Sequence, residues 1–148
     1  MTDVLHNANA ALIHSSLEHI AERISDLTPA VYARYFARQP DARALFGNDD
    51  CDELKGDMLS RLIVQIMEYA EGRANPEIIV SWAADHVAYG VSMSMFPAMF
   101  ESLEETLREI AGEAWTPEVG YAWREQFDGL LELIEAAFRR FAPGSLVA

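Results

Sequence analysis

The sequence predicts an all-α fold, and two observations carry that reading. Apolar positions recur at three- and four-residue spacing almost throughout the 148 residues. Runs that alternate apolar and polar residues between turn signals, as half-buried strands do, are missing. With 51% hydrophobic residues the chain can bury a real core, and its length suits a single domain over residues 1–148. It shows no internal repeat, no glycine-rich phosphate loop, and no serine, cysteine or acid spaced from a base as in a catalytic triad.

The elements follow in order. Residues 8 to 23 form an amphipathic helix with Leu12, Ile13, Leu17 and Ile20 on one side. His14 and His19 do not share a face, so they make no metal pair; with His6 they are expected to face solvent. Thr28-Pro29 reads either as an N-cap with proline at the first helical position or as a kink in a helix begun near residue 23. Tyr32 and Phe36 then share a face, as aromatic pairs in a core do. Pro40 opens a short turn ending at Phe46, and the polar loop from Gly47 to Asp52 places Cys51 in solvent with no assigned role. Residues 53 to 70 form a helix with Leu54, Met58 and Leu62 along one stripe, broken by Gly72 to Pro76. A long helix from about 97 to 111 turns Phe100, Leu103, Leu107 and Ile110 inward. After Gly112, Thr116 caps a last helix that starts at Pro117 and runs to about 141, pairing antiparallel with its predecessor. The tail PGSLVA is expected to fray.

The stretch from 77 to 100 holds the chemistry. His86 shares a face with Trp82 and Ile79, an apolar face expected to be buried, and Gly90 ends the helix. A histidine placed so is either a satisfied core residue or a ligand. In the second case one ring nitrogen donates to a carbonyl a turn earlier and the other holds a metal.

The net charge of −13 repels phosphate backbones and anionic membrane surfaces, so neither nucleic acid nor membrane is an expected partner. No apolar stretch has the length of a membrane span, the N-terminus lacks the pattern of a signal peptide, and the lone Cys51 forms no internal disulfide. A cytoplasmic protein is the expectation.

The run His86-Val87-Ala88-Tyr89-Gly90-Val91, then Phe96-Pro97, Leu103 and Thr106-Leu107, is followed by Trp115-Thr116-Pro117-Glu118-Val119 and Ala122-Trp123. This pattern over three helices resembles bacterial single-domain globins and the haem domain of flavohaemoglobins, and the match covers about residues 10 to 140. The resemblance implies a globin fold of about six to eight helices around a haem b pocket. It implies His86 as the iron ligand, bonded through its other nitrogen near Trp82 or Ala83, and Phe46 packed on the porphyrin. It implies Tyr32, fourteen residues before Phe46, as the donor to a bound gas molecule, with Tyr35 as the fallback. Leu54, thirty-two residues before His86, stands where many relatives carry glutamine or histidine; Lys55 would reach a haem propionate, and Met58 follows one turn later. Trp82, Val91 and Phe96 complete the implied pocket.

Two departures bear on function. Flavohaemoglobins support the iron-ligating histidine with a tyrosine and a glutamate, and the matching positions carry Phe96 and Arg140. The chain also has no room for a reductase domain, so turnover would need an external electron donor. The leading expectation is a five-coordinate haem that binds O2 reversibly, with NO and CO as further ligands. The alternatives are NO dioxygenation with an external reductase, gas or redox sensing, and a globin fold without haem. A homodimer stays open.

Overall fold

The computed structural model describes the backbone of residues 2–141 and the side chains of residues 8–141. His6 as a side chain and the tail PGSLVA lie outside them. Among the described residues the chain is helical throughout: α1 (Thr2–Ala21), α2 (Thr28–Arg38), a 3-10 segment (Pro40–Phe46), α3 (Glu53–Ala70), α4 (Pro76–Ala88), α5 (Met95–Ala111), a 3-10 turn (Gly112–Ala114) and α6 (Pro117–Phe141).

The long α6 is the backbone of the assembly, and α1, α3, α4 and α5 all pack against it. Its apolar stripe of Val119, Trp123, Phe127, Leu130, Ile134 and Phe138 is buried, as its spacing requires. The pairing with α5 is antiparallel: Phe96 meets Phe138, Phe100 stacks on Phe127, and Glu104 meets Arg124, so partners descend α6 as they ascend α5. On the α1 side, the buried indole of Trp123 donates to Ser16 Oγ at 2.9 Å, which satisfies a polar atom that would otherwise be costly to bury. Where α3 crosses α6, a Cβ on Gly129 would lie 2.0 Å from the Tyr69 hydroxyl, so the ring occupies the space a side chain would take. The α2–α5 contact is polar, with Arg34 and Arg38 facing Glu101, Glu105 and Glu109.

Helix ends explain most boundaries. Thr116 Oγ1 accepts from Val119 N at 3.2 Å, the expected cap of α6. At α4 the cap is Asn75, whose side chain accepts from Glu77 N at 3.0 Å, with Pro76 opening the helix. The Thr28 expectation is corrected. Helix α1 ends at Ala21, so Pro29 is no kink, and Thr28 is itself the first residue of α2. Its backbone N–H donates to Asp26 Oδ1 at 3.0 Å, and that contact holds the Asp26 carboxyl below its usual range. An exposed carboxylate is a better acceptor than a hydroxyl drawn into the core.

His19 also departs from expectation. It is half-buried, and its Nε2 is shut from solvent without a partner, whereas His14 is exposed 4.0 Å from Glu71. Cys51 is exposed.

Candidate functional site

The helices α2, α3, α4 and α5 enclose a cavity of about 370 Å³, within the range of pockets that bury small molecules. His86 stands in one wall. Its Nδ1 lies 2.7 Å from the Trp82 carbonyl oxygen, one turn back on α4. A carbonyl only accepts, so Nδ1 carries the proton and Nε2 carries the free lone pair. The end of α4 holds this arrangement. Gly90, at φ +87, closes the helix with Gly90 N donating to Val87 O at 3.1 Å and Val91 N to His86 O at 3.0 Å. This paired closure needs a residue in the left-handed region and turns Val91 into the cavity wall.

The face expected to be buried is so only at Ile79; Trp82 and His86 are half-buried because they form the cavity wall. Trp82 meets the imidazole edge-on at 5.2 Å between centroids, and Phe96 lies 5.3 Å away on the other side. Behind Phe96 stands Phe138, at 5.2 Å. The Arg140 expectation is thereby corrected: Arg140 is exposed, with its guanidinium over Phe141, and a phenyl ring occupies the place behind Phe96. The register of α6 turns position 138 inward and 140 outward.

Across the cavity, Tyr32 is 3% exposed and sits among Tyr35, Phe36 and Phe46 at centroid distances of 5.3 to 5.9 Å. Burial pushes the Tyr32 phenol above its usual range, with Tyr35 and the Asp49 carboxylate adding to the effect. Burial pushes Tyr35 up to about 12. Both phenols therefore remain hydrogen-bond donors at any physiological pH. Leu54, Met58 and Leu62 of α3 supply an apolar flank, and Leu54 is 45% exposed at the rim.

Of the residues singled out in the sequence, Tyr32, Phe46, Leu54, Met58, Trp82, Val91 and Phe96 line one cavity with His86. Lys55 does not. Its ammonium lies 2.8 Å from Asp49 O, 3.0 Å from Asp49 Oδ2 and 3.1 Å from Asp52 Oδ1, in a separate depression behind Tyr32 and Phe46. These partners raise the Lys55 pKa although desolvation opposes them, and the ammonium is committed there. The backbone N–H groups of Leu54 and Lys55 hold the Asp49 carboxyl below its usual range.

Sequence reasoning missed Arg61, Tyr89 and Met99, all of which line the cavity. Their spacing was the available signal: Arg61 is seven residues after Leu54, Tyr89 three after His86, and Met99 three after Phe96.

Among the described residues no group of three or more His, Cys, Asp or Glu could hold a bare metal ion. A lone oriented imidazole suits a metal whose other positions are filled by a cofactor. The largely apolar walls, with the His86 imidazole and the buried Tyr32 and Tyr35 phenols among the lining residues, fit such a group. No helix among the described residues is long and apolar enough to cross a membrane.

The globin family model matches residues 29–134. The chain is 27% identical over 128 residues to a flavohemoprotein of Xylella fastidiosa, covering 84% of this chain and 32% of that one. It is 27% identical over 137 residues to leghemoglobin-1 of Vicia faba, covering 86% and 94%. A flavohemoprotein of Bordetella pertussis is 27% identical over 128 residues. The chain thus spans about a third of the flavohemoproteins and nearly all of the leghemoglobin.

Proposed function

The chain belongs to the globin family, and from that premise we propose that it holds haem b at His86 and binds O2 reversibly, with NO and CO as further ligands. The observation that carries this reading is the 2.7 Å bond from His86 Nδ1 to the Trp82 carbonyl, which presents Nε2 as a lone-pair donor to the cavity. Bound haem would supply an iron centre able to take a diatomic gas. The chain's own residues supply the rest. His86 would anchor the haem, Phe46, Val91 and Phe96 would pack against it, and Leu54 and Met58 would keep water from the gas side. Tyr32, protonated and fixed among rings, would donate to the polarised outer atom of a bound gas, an interaction worth on the order of 1.5–3 kcal/mol. The apolar flank of Leu54, Met58 and Leu62 would leave the iron free to take the gas, and Met58 is the side chain of that flank that could compete for it. The reading is tested by the absorption spectrum of reduced protein. A protein that stays colourless after reconstitution with haem would overturn it.

A second reading is NO dioxygenation in a cytoplasmic setting with an external reductase. Tyr32 and the resemblance to flavohemoproteins favour it. Phe138 weighs against it, because no carboxylate stands behind the ligating imidazole to make it more electron-rich. Sustained NO consumption with a reductase supplied separates the two readings, since a single turnover does not.

A further inference from the structure

Arg61 is the one strong base among the described residues that line the His86 cavity, and two acids, Asp57 and Asp85, line the same cavity. The local balance is therefore negative, in a chain that carries −13 overall. The proposed cofactor bears two carboxylates. They cannot enter apolar walls without a large desolvation cost, so they must lie at the open rim, whose exposed lining residues are Leu45, Leu54, Asp57, Arg61, Asp85 and Tyr89. A dianion placed there meets repulsion unless a cation answers it. Lys55 is committed to Asp49 and Asp52 on the far side of Phe46. Arg61 is not so held. Its side chain is 69% exposed, and its Nε meets Asp57 Oδ2 at 3.0 Å, one turn earlier on the same helix. Only one of the five guanidinium N–H groups is used in that contact, and the planar fork suits a carboxylate in two-point contact.

We infer that Arg61 anchors a carboxylate of the bound cofactor at the cavity rim, and that Asp57 competes with it for the guanidinium. This rests on the proposed haem reading. Arg61 sets retention and orientation of the cofactor, and the exchange of Asp57 for the cofactor's carboxylate accompanies binding.

The test uses the full chain reconstituted with haem and, separately, with haem dimethyl ester, in which both carboxylates are masked. Transfer of the cofactor to an excess of a haem-scavenging apoprotein is followed through the Soret band. Arg61→Met keeps the aliphatic stem and is expected to speed loss of haem about three- to tenfold, as an exposed charged contact allows. Asp57→Asn frees the guanidinium and is expected to slow it. With the ester the three proteins are expected to lose cofactor at one rate. An unchanged rate in Arg61→Met, or the same acceleration with the ester as with the free acid, overturns the inference. A wild type that gives no Soret band with either cofactor instead removes the haem reading beneath it.

Discussion

On α4 the His86 imidazole is aimed by backbone. The Trp82 carbonyl takes one ring nitrogen, and the closure at Gly90 and Val91 fixes where the helix stops. Across the cavity, Tyr32 is aimed by packing, held among Tyr35, Phe36 and Phe46 with its phenol pushed well above its usual pKa. One wall is aimed by contacts local in sequence, with Phe96 of α5 packed against it. The other draws on α2 and on the turn ending at Phe46, so it exists only in the folded molecule. The first kind of wall tolerates substitution around it but not at its single nitrogen. The second spreads its stability over several rings while the proposed donor is one hydroxyl.

The His86 nitrogen is the most sensitive point of the two walls. His86→Ala is expected to abolish the Soret band of reconstituted protein while far-ultraviolet circular dichroism keeps the helical signal. Next, Tyr32→Phe keeps the ring cluster and removes the donor, so O2 dissociation measured by stopped flow is expected to rise roughly ten- to hundredfold. Tyr35→Phe is expected to change it far less; an equal effect would transfer the donor role to Tyr35. Because burial raises the Tyr32 phenol above its ordinary value of about 10, the dissociation rate is expected to stay flat from about pH 6 to 9, and a rise within that interval would contradict a protonated donor. Gly90→Ala forces a side chain into the left-handed region at φ +87 and is expected to cost about 1–2 kcal/mol in urea unfolding. The smallest effect concerns the depression behind Tyr32. The depressed Asp49 carboxyl stabilises the fold above its unfolded pKa, and that contribution is lost as pH falls through the folded value. Asp49→Asn is therefore expected to be less stable than wild type at neutral pH, with the gap closing as pH falls below about 4.

What could be read in the sequence divides along the same line as the walls. The bond behind His86, the glycine after it and the cap at Thr116 depend on residues within a turn or two; helical spacing offered that bond as one of two readings, and the resemblance pointed to Trp82 or Ala83 as its acceptor. Most element boundaries were legible for the same reason; α3 begins and ends where the apolar stripe does. Lys55 was not legible. Its reach allows several carboxylates, and only the fold of the loop from Gly47 to Asp52 decides that Asp49 and Asp52 take it. Nor was the environment of position 138, because a register shift of two residues on α6 exchanges a phenyl for a guanidinium. His19 belongs with these, since its concealment depends on the packing of α1 rather than on its own helix.

The contact between Tyr69 and Gly129 reaches further than its location suggests. Helix α3 carries Leu54 and Met58 along one flank of the slot, while α6 backs the opposite flank through Phe138 and Phe96. The missing methyl at position 129 is what admits the Tyr69 ring between these two helices, away from the cavity lining. Replacing that glycine by alanine forces the Tyr69 ring or the two helices to move, and if the helices part, the proposed haem pocket should bind bulky isocyanides better relative to CO. Under the proposed function, gas selectivity would then be tunable without touching a residue that meets the gas.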